Sequence, residues 1–289
     1  MKFVIVADFF LDDVVGGGEL NNEELIRRLL FNGHDVHKIR SHKVDTKFID
    51  SSSNLNYIIS NFWNLSDNSK KALQNKKVKY IIYEHDHKYL PNRDPAAYKD
   101  FTAPKDKIIN YQFYKNAIAT LCQSSFHKGI VERNLELDNI ISLGGNIWSD
   151  ESLDKLSDFC SRPKAASYAI MDSQIPHKNT QGAVLYCKKN NLPYELIPSC
   201  GYYDFLERLS KHESFVFFPQ TPETLSRVVV EARMMGMRIV TNNLVGASQE
   251  EWFKLKGHDL ISEIRKKKSD ITDTVMNLFT PEDNKTTGV

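Results

Sequence analysis

The chain has 289 residues, 41% of them hydrophobic and 26% charged, the make-up of a water-soluble globular protein of one large α/β domain or two small ones. Its 38 Lys and Arg nearly balance 37 Asp and Glu, so a net charge of +1 offers no global attraction to nucleic acid or an anionic membrane. No run approaches the roughly 20 apolar residues of a membrane span, and Cys122, Cys160, Cys187 and Cys200 lack metal-ligand spacing and read as reduced thiols.

The opening KFVIVADFF reads as a strand buried on both faces. Asp8, Asp12 and Asp13 interrupt it before signal-peptide length, and the expected location is the cytoplasm. A glycine cluster follows, then a helix through NNEELIRRLLF capped by Asn21 or Asn22, ended by Gly33 before a strand at Val36–Ile39. NYIIS and KYIIYE are strand-like, and NAIATLCQS followed by FHKGIVERNL is a strand–helix pair. A break is expected around 145–162, where Gly144, Gly145 and Pro163 punctuate the chain. The alternation then restarts: QGAVLYCKKNN as helix, YELIPS as strand, FLERLSKH as helix, SFVFFP as strand, TLSRVVVEARMMG as helix and RIVTNN as strand. Such alternation predicts parallel sheets. The spacing predicts units over 1–148 and 149–257, a last amphipathic helix or helix pair over 258–280 returning to the first unit, and a disordered tail at 281–289.

The most informative stretch is FVFFPQTPETLSRVVVEARMMGMRIVTN. A strand ends at Pro219 and a helix begins near Thr224 or Ser226, which places Glu223 at the strand's carboxyl end, where open α/β sheets bind ligands. Backbone N–H groups at Leu225, Ser226 and Arg227 would make a diphosphate cradle. Glu231, eight residues after Glu223, would reach the same cleft two turns into the helix, and a carboxylate accepts from both hydroxyls of a vicinal diol.

PETLSRVVVEARMMGMRIVTN resembles the signature of the retaining GT-B glycosyltransferases of family 4. The resemblance implies an α/β fold of two Rossmann-like domains with parallel sheets facing across a cleft. It implies that Glu223 contacts the donor sugar and Glu231 the ribose. VVGGGELNNEELIRRLLFNGHDV is similar to the family's N-terminal Gly-Gly-x-Glu loop and helix, with Gly16, Gly17 and Gly18 allowing close approach of a ligand. The loop lacks the G-x-G-x-x-G spacing of a dinucleotide fold. IIYEHDHKYLPNRDP offers His85 and Asp86 at the family's His-Asp position, with His87 as the other candidate. Lys178 matches the family's Lys for the leaving diphosphate, but the accompanying Arg falls at Ser173, and Arg227 or Arg162 are the candidates to replace it. The family's Gly-Phe-Gly run after the first Glu is here Thr224-Leu225-Ser226.

The expected activity is therefore transfer of a sugar from a nucleoside diphosphate donor, a UDP-sugar by preference, to a hydroxyl acceptor (a glycan, a small molecule or a modified DNA base), with no prosthetic group and no metal. The chain has no Asp-x-Asp metal motif. The YEHDHKYL segment also resembles bacteriophage glycosyltransferases, some of which modify hydroxylated bases in DNA. Arg27, Arg28, Lys38, Arg40 and Lys43 form a basic strip that either tracks phosphates or is a solvated face. Two other readings of the fold are a catalytically silent sugar-nucleotide-binding protein and a sugar-nucleotide epimerase.

Overall fold

The computed structural model describes residues 1–280; the tail expected at 281–289 lies outside the described residues. The first unit runs β1 (Lys2–Ala7), α1 (Gly17–Phe31), β2 (Asp35–Arg40), α2 (Thr46–Ser51), β3 (Asn56–Ile59), α3 (Asp67–Asn75), β4 (Tyr80–Tyr83), α4 (Tyr111–Lys115), β5 (Thr120–Cys122), α5 (Ser125–Leu135) and β6 (Ile140–Ser142). The second runs α6 (Asp150–Ser161), β7 (Ala165–Asp172), α7 (Thr180–Lys189), β8 (Tyr194–Pro198), α8 (Tyr202–Ser210), β9 (His212–Phe217), α9 (Arg227–Met234) and β10 (Arg238–Thr241). A long helix, α10 (Gly257–Asn277), closes the chain. Its last residues make one helix, not a pair.

All strand pairs are parallel, in a six-stranded sheet of order β2-β1-β3-β4-β5-β6 and a four-stranded sheet of order β10-β9-β7-β8. Alternate residues of each strand feed opposite faces, as the pleat requires. Val4, Val6, Ile59 and Ile82 pack on one face of the larger sheet, and Phe3, Ile5, Ile58 and Ile81 on the other. In the smaller sheet Ala169, Phe215 and Phe217 face one core, Ile170 and Val216 the other.

The strand order fixes where a ligand can sit. From β1 the chain first goes to β2 on one side and then to β3 on the other; from β7 it goes to β8 and then to β9. Both reversals open a crevice at the strands' carboxyl ends. The segments at those ends supply Val15, Gly16, Gly17 and Gly18 on one side and Ser173, Gln174, Ile175 and Lys178 on the other to one cavity.

Three local expectations are corrected. The first helix starts inside the glycine cluster, with Gly16 at its N-cap, so Asn21 and Asn22 are not caps but buried residues one turn in. The break at 145–162 contains α6, capped by Ser149, whose side chain accepts from the Ser152 amide, and held by buried Leu153, Leu156 and Phe159. The helix expected near Thr224 or Ser226 begins at Arg227. α10 crosses both units: Leu260, Ile261 and Ile264 join the second unit's core, and Ile271 and Val275 join the first's. Each such side chain contributes about 1.5–3 kcal/mol of burial, so the helix is a strap across the pair. No helix among the described residues is long and apolar enough to cross a membrane.

Candidate functional site

Between the two sheets lies a cavity of about 680 Å³, walled on one side by Val15–Gly18, Leu20, His85, Gln123 and Asn146, and on the other by segments of the second unit. The first wall is built by α1 entering without a side-chain cap. The Gly17 and Gly18 amides carry no hydrogen bond among the described residues and open toward the cavity. Packing is tight at Gly17 and ordinary at Gly18. A Cβ on Gly17 would stand 3.2 Å from Arg227 Cδ of the second unit, and one on Gly18 would stand 3.4 Å from the His85 ring.

His85 follows β4 and stacks on Tyr83, ring centroids 5.0 Å apart. Its Nε2–H donates to Asn22 Oδ1 at 2.9 Å, and Nδ1 accepts from Gln123 Nε2 at 3.0 Å. Gln123 is oriented in turn by Asn146, whose amide donates to Gln123 Oε1 at 2.9 Å. Burial, aided by the nearby Lys88 ammonium, pushes the imidazole pKa down to about 3. His85 is therefore a neutral ring with both nitrogens engaged, offering a wall rather than a charge.

Beside it, Lys88 is fully buried, and its Nζ donates to Glu84 Oε1 at 2.9 Å and Asp86 Oδ1 at 2.6 Å. Asp86 also accepts from Arg93. The expected partnership of His85 and Asp86 at the ligand is thus divided: His85 lines the cavity, whereas Asp86 balances Lys88 and Arg93 and is not part of the wall. His87 turns away to Tyr89, with Nδ1 and the phenol oxygen 2.9 Å apart.

The opposite wall carries the cations. Lys178 ends a short turn after β7, and its Nζ donates to Glu223 Oε1 at 2.7 Å. Glu223 sits on the extended segment before α9, which is held by a parallel bridge to Val245, with the Glu223 amide donating to Leu244 O at 2.8 Å. The helix then starts from Ser226 in a left-handed conformation, φ 73°. The amides of Leu225, Ser226, Arg227 and Val228 have no hydrogen-bond partner among the described residues, which leaves a helix N-terminus open to an anion. Ser226, Arg227 and Val228 line the cavity, whereas Leu225, expected in the cradle, is fully buried in the second unit's core and is not part of the wall.

Glu231 lies one helical turn beyond Arg227. Its Oε1 accepts from Trp148 Nε1 at 2.9 Å and from Tyr202 O–H at 2.7 Å, with Arg227 Nε at 3.5 Å. Its Oε2 has no hydrogen bond among the described residues, and the residue lines the cavity. Arg227 stacks on Trp148, 4.1 Å from the ring centroid, and donates to Ile147 O at 2.8 Å. Lys178 and Arg227 are the cationic residues of the cavity wall, with Ser173 beside them. Arg162 instead pairs with Asp158 and Glu207 on the surface and is no substitute.

One cavity thus gathers Gly16, Gly17, Gly18, His85, Lys178, Glu223, Ser226, Arg227 and Glu231. Sequence reasoning did not find Trp148, Tyr202, Gln123 or Asn22, which set the geometry of the acid and the histidine. The basic strip is interleaved with acids: Arg27 and Lys38 reach Glu23, and Arg40 reaches Asp13.

The geometry can be set beside known structures. A sucrose-phosphate synthase from Thermosynechococcus elongatus is similar over 96% of this chain and 98% of its own, with a TM-score of 0.62 at 9% identity. The chain has the GT-B fold. Two further GT-B structures are similar. One is Anabaena HepE in complex with UDP-glucose, TM-score 0.54 at 11% identity over 96% and 92% of the chains. The other is an alpha-glucosyltransferase in complex with UDP and a 13-mer DNA containing an HMU base, TM-score 0.52 at 11% identity over 97% and 100%. Comparison with protein-family models finds no match, and comparison with curated proteins finds none.

Proposed function

We propose that this protein is a retaining, metal-independent glycosyltransferase that moves a sugar from a UDP-sugar to a hydroxyl acceptor. The carrying observation is the convergence on one cavity of an open helix N-terminus at α9, the Lys178 ammonium and the unengaged Oε2 of Glu231. A pyrophosphate needs amide donors and cations, and a ribose needs a carboxylate acceptor about a helical turn away. The volume of about 680 Å³ suits a ligand of that size. The similarity to GT-B structures holding UDP and UDP-glucose supports the choice of base.

In this reading the bond between the sugar's C1 and the β-phosphate oxygen breaks, and its electron pair stays on the phosphate. Lys178, Arg227 and the α9 amides stabilise that charge, and fixed donors of this kind need little reorganisation during the reaction. The acceptor oxygen bonds to C1 on the same face while its proton passes to the departing phosphate, so configuration is retained. Glu223, held by Lys178 at 2.7 Å, orients the sugar hydroxyls, and neutral His85 closes the other side of the ring. The acceptor is a glycan hydroxyl or a hydroxylated DNA base. The alpha-glucosyltransferase bound to HMU-containing DNA supports the second, whereas the acid-paired strip here does not add a bare phosphate track.

The test is a thermal-shift panel of UDP-, GDP- and ADP-sugars, then nucleoside diphosphate release with and without acceptors. A UDP-sugar is expected to raise the melting temperature, and Glu223→Ala to abolish turnover. Tight binding with no release on any acceptor would favour the silent binder, a product still linked to nucleotide the epimerase, and no binding at all would remove the reading.

A further inference from the structure

The segment that carries Glu223 also joins the two units. Ser124, at the N-cap of α5, receives the His127 amide at 3.1 Å and donates its own hydroxyl to Thr224 O at 2.6 Å. Thr224 Oγ1 donates to His85 O at 3.2 Å. One residue on, Ser125 donates its amide (2.6 Å) and hydroxyl (2.8 Å) to Glu250 Oε1, which places a second-unit carboxylate on the N-terminus of a first-unit helix. Gly246 lies within this knot: a Cβ there would come to 2.5 Å from both Ser124 Oγ and Thr224 O. Its amide meanwhile donates to Glu223 O at 3.0 Å.

We infer that Ser124, Thr224, Gly246 and Glu250 form an interdomain latch that positions Glu223 against His85 and keeps the cleft closed to water, so that domain closure and assembly of the sugar site are one event. Three facts support this. The latch bonds cross between units at Thr224 and His85, and both residues line the cavity together with Glu223. The bonded chain segments leave no space for any side chain at 246. Glu250 itself lies outside the cavity, so it acts on the site only through the latch. The inference rests on the glycosyltransferase reading for its catalytic consequence, but not for its structural one.

In a GT-B cleft that opens more readily, water competes with the acceptor for the activated sugar. The experiment takes the full chain and compares Glu250→Ala, Gly246→Ala, Thr224→Val and the conservative Thr224→Ser. Small-angle scattering is recorded without nucleotide, and UDP-glucose hydrolysis and transfer are measured side by side. For Glu250→Ala and Gly246→Ala a larger radius of gyration is expected, with the hydrolysis-to-transfer ratio raised by about three- to tenfold, the net worth of one ordinary hydrogen bond. Thr224→Val should raise the same ratio less, and Thr224→Ser, which keeps the hydroxyl, should restore it. An unchanged radius of gyration and an unchanged ratio in Glu250→Ala and Gly246→Ala, with both folded by circular dichroism, overturn the latch. A wild-type chain that takes no nucleotide sugar overturns the functional reading instead, and the scattering comparison alone then decides the latch.

Discussion

Glu231 separates binding from folding within one side chain. Its Oε1 holds Trp148 at 2.9 Å and Tyr202 at 2.7 Å, while Oε2 is left to a ligand. Glu231→Gln keeps an acceptor for the two protein donors but presents N–H₂ where Oε2 stood. A ribose diol then meets a donor rather than an ionised acceptor. The loss is that of a hydrogen bond to a charged group, about 1.5–3 kcal/mol, or roughly 10- to 150-fold in the dissociation constant of UDP. Glu231→Ala removes both sets of contacts and leaves the buried Trp148 Nε1 without an acceptor, costing about 1–3 kcal/mol, while the half-buried Tyr202 O–H loses its partner at the cavity wall. Isothermal titration with UDP and with 2′-deoxy-UDP, beside urea unfolding, distinguishes the two. The Gln variant should unfold near the wild-type midpoint, bind UDP weakly and lose its preference over the deoxy nucleotide. The Ala variant should also lose stability. If Glu231→Gln binds UDP as tightly as wild type and still discriminates, Oε2 is not the diol acceptor and the donor's orientation is misassigned.

Gly17→Ala should weaken UDP by no more than about tenfold, one hydrogen bond at most, because the new Cβ stands 3.2 Å from Arg227 Cδ and presses on the stem of that side chain. Its melting temperature should hold or rise, since alanine lowers the entropy of the unfolded chain; differential scanning calorimetry with titration checks both. Acid should destabilise the fold before carboxylates matter. His87 is lowered to about 4 and His127 well below its usual value, both by burial, with Lys88 and, for His127, His87 and His85 adding to the shift, while Asp86 opposes it. The unfolded histidines titrate near 6.5, so the unfolded state binds more protons as pH falls below that value, and stability is lost. At pH 5 each histidine kept neutral costs about 2 kcal/mol. Urea midpoints that stay flat from pH 7 to 5 would refute this, and His127→Asn should reduce the slope.

The fold was legible in the sequence because its central strands, such as β1 and β4, are buried on both faces and several of its helices are amphipathic, and those local patterns survive without knowledge of partners. The Glu223–Glu231 spacing and the glycines after the first strand were legible as patterns along the chain, although Glu223 lies on the extended segment before α9, held by its bridge to Val245, and Glu231 lies within the helix. α6 was missed because Gly144, Gly145 and Pro163 drew attention to a break, although its Ser149 cap and its Leu153, Leu156 and Phe159 stripe were present. The helix starts follow an extended Gly16 and a left-handed Ser226, and residue identity does not foretell a positive φ at a serine.

The sequence by itself determined the alternation of strands and helices, the parallel sheets and the acids at the mouth of α9. Only the tertiary structure decided which of the EHDH residues faces the cavity, that Arg227 rather than Arg162 stands beside Lys178, and that Trp148 and Tyr202 take one oxygen of Glu231. The reason is physical. Periodicity and capping are properties of neighbours along the chain, whereas a hydrogen bond between residues 148 and 231, or 124 and 224, exists only once two sheets have been brought face to face.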